Sequence, residues 1–95
     1  MLYAILCEDR ADAGTLRPDT RPAHLDYLAS LGDAVKFAGP FVGADGKPEG
    51  SLVMVDAEDE AAARAIADAD PYAQAGLFSS VRVRAWKWVV NAPAE

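Results

Sequence analysis

"LYAILC", residues 2–7, is apolar at every position and too short for a stable helix. It predicts a strand covered on both faces, the hallmark of a central strand. "SLVMVDA", residues 51–57, has the same character. Two such strands in one short chain set the frame into which the remaining elements must fit.

Between them, "RADAGTLRPD" (10–19) carries loop signals and a helix follows, stopped at Gly32 of "SLG". Its start is open. With Thr15 as N-cap, Pro18 falls in the tolerated first turn and Pro22 would kink the helix; otherwise the helix begins near Thr20. "AVKFAGPF" (34–41) reads as a strand, and "VGADGKPEG" (42–50) as a turn marked by Asp45-Gly46. "EDEAAARAIADA" (58–69) is acidic at its start, alanine-rich and free of Gly and Pro, so it predicts a second helix. "DPYAQAGLF" (70–78) opens with Asp-Pro, the signal of a short helical turn. "SVRVRAWKWVV" (80–90) alternates and is rich in Val and Trp, the last strand; "NAPAE" (91–95) is a tail. Residues 1–90 form one domain.

The order β-α-β-β-α-β, with right-handed crossovers, leads to an α+β fold: a ferredoxin-like, four-stranded antiparallel sheet with the two apolar strands at its centre. Arg82, Arg84 and Lys87 suit an edge strand. Two helices cover one sheet face only, yet the first strand is apolar on both: Leu2, Ala4 and Leu6 against Tyr3, Ile5 and Cys7. A second copy of the chain is the simplest cover, giving a homodimer through the sheet face and a dimeric α/β barrel.

Composition narrows the function. The 95 residues carry a net charge of −6, which disfavours nucleic acid and anionic membrane surfaces. A single cysteine excludes an internal disulfide. "MLYAILC" lacks a basic flank and a cleavage site, and no stretch approaches the ~20 apolar residues of a membrane span. The expectation is a cytoplasmic protein. No metal-ligand spacing, P-loop or dinucleotide fingerprint is present, so no cofactor or metal is expected.

His24 is the only histidine. On a helix running from Thr15, Arg17, Arg21, His24 and Leu28 share one narrow stripe, a local cationic patch suited to a carboxylate or enolate. The plain alternatives are arginines paired with acids such as Asp19, and a half-buried histidine bonded to backbone. Asp70 is the best partner for His24. Its structural role is N-cap of the "DPY" turn, and a capping carboxylate keeps a spare oxygen. An Asp that accepts from one imidazole nitrogen fixes the tautomer and leaves the other as a base. Ser51 opens its strand after Gly50, where a hydroxyl is usually structural. Tyr72 and Phe78 suit a core or pocket wall, and Trp86 and Trp88, sharing one face of the last strand, suit an interface. Cys7, in a buried strand, is a weak nucleophile.

Taken in order, "AILCED", "LRPDTRPAHLDYL", "FAGP", "GS", "DPYAQAGLF" and "VRAWKW" resemble the YciI-like family over residues 1–90. The resemblance implies a dimeric α/β barrel, a fold similar to that of muconolactone isomerases and small monooxygenases. It also implies a His–Asp active-site pair, here His24 and Asp70, with Arg17, Arg21 and the Gly50-Ser51 step at family positions. A dehydrochlorinase of a chlorinated hydroxyhydroquinone among its relatives points to cofactor-free proton transfer on aromatic or enol substrates. The short acidic loop "CEDRADAG" departs from the family pattern. The expected function is a cofactor-independent acid/base enzyme acting on a small anionic or enol molecule, with Tyr72 and Ser51 among the substrate contacts. The alternatives are a non-catalytic small-molecule-binding dimer and a cofactor-free monooxygenase.

Overall fold

The computed structural model describes residues 1–94; Glu95, the end of the expected tail, lies outside them. The elements are β1 (Leu2–Asp9), α1 (Leu16–Ser30), β2 (Val35–Val42), β3 (Pro48–Asp56), α2 (Glu60–Ala69), α3 (Pro71–Gln74) and β4 (Phe78–Trp86). The sheet is antiparallel throughout, in the order β2-β3-β1-β4, so the two apolar strands are central. This is the ferredoxin-like α+β arrangement that the element order predicts.

Ile5 lies opposite Val53 on one side and Val83 on the other, and this register builds the core. Tyr3, Ile5, Cys7, Val53, Val55 and Val83 point toward the helices, where Ala63 and Ala67 of α2 meet them. Small side chains on α2 let the helix lie close to the sheet. Its first turn is fixed by Asp59, whose Oδ1 accepts from the Ala62 N–H at 2.8 Å. The helix therefore starts two residues later than its composition suggests.

The open start of the first helix resolves at Leu16, with Thr15 at the cap position and Pro18 in the first turn. Thr15 makes no side-chain bond to backbone; its hydroxyl donates to Asp19 at 2.9 Å. Asp19 is thus a partner of Thr15. The helix ends before Gly32, whose φ of +57° is costly for any residue with a Cβ.

The last strand differs from its expected range of 80–90. β4 is an edge and has only β1 to pair with; the ladder closes where Leu2 faces Trp86. β1 begins at that pair, and Lys87, Trp88, Val89 and Val90 lie past the strand. Trp88 instead folds back, its indole N–H donating to the Val90 carbonyl at 2.8 Å. At the other end β4 begins early, because Asp9 pairs with Phe78 across a register shift.

The sheet face away from the helices carries Ala4 and Met54, both buried, ringed by Phe37, Phe41 and Trp86, which are 36%, 42% and 37% exposed. Phe37 packs edge-on against Trp86 and Trp88, with ring centres 5.9 and 5.2 Å apart. No helix among the described residues is long and apolar enough to cross a membrane.

Candidate active site

α1 is an unusual helix: its one buried residue is His24. Leu28, one turn on, is half-buried against the core. Where an ordinary surface helix would bury an apolar stripe, this one buries an imidazole, and such a group must find a partner.

The partner comes from the junction of α2 and α3. Asp70 ends α2 with extended backbone (ψ 130°) and caps α3, with Pro71 at its first position. Asp70 Oδ1 accepts from the Tyr72 N–H at 2.9 Å and from His24 Nδ1 at 2.9 Å; Oδ2 lies 3.0 Å from the same nitrogen. Both side chains are nearly buried, at 9% and 10% exposure. The cap and the histidine contact are therefore made together.

The Tyr72 ring stacks on the imidazole, with centres 4.0 Å apart and planes 18° from parallel. Held by Asp70 in its plane and by Tyr72 on its face, the ring is fixed in position. His24 Nε2 makes no hydrogen bond among the described residues. No buried side-chain nitrogen or oxygen there lacks a partner, so Nε2 keeps access to the space beside it.

That space is an open cleft of about 1040 Å³. It exists because α1 packs on α3 and leaves β2 exposed along nearly its whole length. Arg17, Arg21, His24 and Tyr72 line it, together with Ala38 and Pro40 of β2, which pair with Val53 and Ser51 and so share the helix side of the sheet.

The two arginines differ. Arg17 is forked onto Asp9, Nε to Oδ2 at 2.7 Å and Nη2 to Oδ1 at 2.8 Å, and Nη2 also donates to Ser51 Oγ at 2.9 Å. Its Cζ stands 4.7 Å from the centre of the Tyr72 ring. The Asp9 hydrogen bond pushes the Arg17 pKa above its ordinary value, so this guanidinium is charged at every working pH. Arg21, one turn further, is exposed and makes no ion pair among the described residues. The Tyr72 phenol is held above its ordinary pKa by burial, which outweighs the opposing charges of Arg17 and Arg21. Burial, with Asp70 adding to it, pushes the Cys7 thiol up to about 12, so Cys7 carries no thiolate near neutrality.

The sequence matches the YCII-related domain over residues 1–87. This chain belongs to that family. Protein YciI of Escherichia coli O6:H1 and Protein YciI of Shigella flexneri are each 40% identical to it over 97 residues, covering 94% of this chain and 99% of theirs. Among solved structures, the 5-chloro-2-hydroxyhydroquinone dehydrochlorinase TftG of Burkholderia phenoliruptrix AC1100, in complex with 2,5-dihydroxybenzoquinone, is 34% identical. It matches with a TM-score of 0.85, covering 92% of this chain and 94% of that one.

In this YCII-related domain five of the residues singled out in the sequence, His24, Arg17, Arg21, Ser51 and Tyr72, line one cleft, and Asp70 lies behind it against His24. Two others belong there. Asp9 holds Arg17; the signal was available, since alternation from Tyr3, Ile5 and Cys7 carries the same face on to residue 9. Gly50 is buried where a Cβ would come within 2.5 Å of the Cys7 carbonyl oxygen and 3.3 Å of the Phe41 ring. The glycine lets β3 pass close to β1 just before Ser51.

Proposed function

We propose that this YCII-related protein is a cofactor-independent acid/base catalyst acting on a small hydroxylated aromatic or enol substrate. The observation that carries the reading is the buried His24–Asp70 pair with Nε2 open to the cleft. With Asp70 accepting from Nδ1–H, Nε2 holds a lone pair and acts as base. It takes a proton from a substrate O–H or acidic C–H, and the electron pair left behind becomes an enolate. The imidazolium so formed is stabilised by the Asp70 carboxylate, and it returns the proton to complete the reaction. Arg21 and the Arg17 side of the cleft favour the anionic state, with Tyr72 and Ser51 lining the site.

The dehydrochlorinase activity named for TftG is chemistry of this kind. One hydroxyl proton is moved to the carbon that bears chlorine, and chloride then leaves as a second hydroxyl proton is lost, so HCl departs, a quinone forms and no oxidant is needed. The test is chloride release from 5-chloro-2-hydroxyhydroquinone by the wild-type protein and by His24→Gln. Release that depends on His24 supports the reading. Binding of 2,5-dihydroxybenzoquinone without turnover of any enol substrate would leave the non-catalytic alternative, a small-molecule-binding dimer.

The homodimer belongs to the same proposal. Phe37, Phe41 and Trp86 frame an apolar sheet face that a second copy would close.

A further inference from the structure

Ser51 carries a donor that the protein does not use. The residue is 4% exposed at the point where β3 leaves Gly50. Its Oγ accepts from Arg17 Nη2 at 2.9 Å, and among the described residues no acceptor takes its own proton. A hydroxyl has one donor and two acceptor sites, so only one of its three is committed.

The direction of the Arg17–Ser51 bond is fixed by chemistry. A guanidinium cannot accept, so Ser51 must be the acceptor and its proton must point elsewhere. The guanidinium cannot swing away either, because Asp9 grips it at 2.7 and 2.8 Å, with both side chains nearly buried at 12% and 11% exposure. Accepting from a cation polarises the hydroxyl and strengthens it as a donor. Ser51 lines the same cleft as His24.

We infer that Asp9 and Arg17 are positioning residues that aim the Ser51 hydroxyl into the cleft, where it donates a hydrogen bond to an oxygen of the substrate. The inference rests on the reading of the cleft as an acid/base site and adds a requirement to it. The substrate needs an acceptor oxygen (carbonyl, phenolate or enolate) separate from the proton that His24 exchanges. A ring bearing two oxygens meets that requirement; a hydrocarbon or a simple amine does not.

The probe is 2,5-dihydroxybenzoquinone, a coloured ring whose absorption responds to hydrogen bonds at its oxygens. Titrations read affinity and absorption maximum together, with circular dichroism to confirm folding. Wild-type protein is expected to bind and shift the absorption. Ser51→Ala should lose about 10-fold to 100-fold in affinity, the range for a hydrogen bond to a charged group, and the spectral shift should shrink. Asp9→Asn should reproduce part of both changes, and the double variant should bind no more weakly than Ser51→Ala alone. Arg17→Lys, which keeps the charge and removes the fork, should match Asp9→Asn and carries the test if that variant fails to fold. Unchanged affinity and spectrum in Ser51→Ala would overturn the inference. So would additive losses, since Asp9 would then act without Ser51. If the probe binds and His24→Gln leaves both binding and enol turnover unchanged, the acid/base reading fails while the Ser51 contact is judged on its own variants. If wild-type protein binds no probe at all, both fall.

Discussion

Asp70 holds His24 with the same oxygen that caps α3: Oδ1 stands 2.9 Å from both His24 Nδ1 and the Tyr72 backbone nitrogen. The helix cap and the histidine contact thus converge on one atom. The question whether Asp70 is a cap or a partner has the answer that it is both, and the two roles come apart only under substitution.

Asp70→Asn separates them. An asparagine oxygen can still cap α3, so stability should fall by less than about 1 kcal/mol. The same oxygen can still accept from His24 Nδ1–H, but the amide is neutral, and no carboxylate remains to stabilise an imidazolium. Turnover should drop by about 10²–10⁴-fold. Thermal melts beside kinetics check this; losses in stability and activity that track each other would favour a purely structural Asp70.

His24→Gln tests the histidine in the same spirit. Gln is shorter of one ring and leaves a gap beside Tyr72, so a modest loss of stability is expected. The fold should persist, by circular dichroism and sedimentation, while turnover of an enol substrate disappears. Normal turnover in the variant would reduce His24 to a buried polar residue satisfied by Asp70.

Cys7 provides a pH dependence whose sign can be worked out. Its thiol rises from an ordinary 9.0 to about 12 in the fold, chiefly by burial. Between those values the unfolded chain has lost the proton and the folded protein has kept it. The unfolded state binds fewer protons there, so stability must fall as pH rises from about 9 toward 12. Below pH 9 the group contributes no slope. Denaturant melts of wild type and Cys7→Ala across this range should differ in slope, the wild type declining more steeply. The buried tyrosines contribute equally to both and cancel. Parallel curves would contradict the burial of the thiol.

Gly50→Ala should destabilise the protein by about 1–3 kcal/mol, the usual range for overpacking. The added methyl would press on the Cys7 backbone carbonyl, which cannot rotate away as a side chain would. Because Ser51 follows directly, the variant should also weaken binding of 2,5-dihydroxybenzoquinone. A chemical melt with an unchanged midpoint would show that β1 and β3 separate freely at this point.

The fold was legible because its decisive signals are local. "LYAILC" and "SLVMVDA" announce central strands by composition alone, and turn residues punctuate the rest. The His24–Asp70 pair was legible in part: the α1 stripe placed His24, and Asp-Pro placed Asp70 as a cap, but their meeting depends on how α1 packs on α3. The Asp9–Arg17–Ser51 chain was not read, because it joins the end of β1, the first turn of α1 and the fourth residue of β3 through side chains. Strand ends failed for a related reason. Nothing in "VRVRAWKWVV" marks residue 86 as its limit; the limit is where the partner strand begins.

The last prediction concerns the uncovered sheet face. Ala4 and Met54 are buried there without any helix above them, under a rim of Phe37, Phe41 and Trp86 that remains over a third exposed. A monomer would hold this aromatic rim in water at a cost of roughly 25 cal/mol per Å² of apolar surface, which association would recover. The groove along it is apolar apart from Arg84, so the partner must be apolar as well, and a second copy offers the same surface in return. Sedimentation equilibrium at tens of micromolar should give about twice the chain mass of 10.1 kDa. Trp86→Glu, which sets a charge in the aromatic rim of the contact, should return the protein to a monomer while leaving the helix-side core intact, since Trp86 faces away from Ile5, Val53 and Val83. A wild-type mass near that of a single chain would mean that the rim packs on itself. A dimer unaffected by Trp86→Glu would place the interface elsewhere.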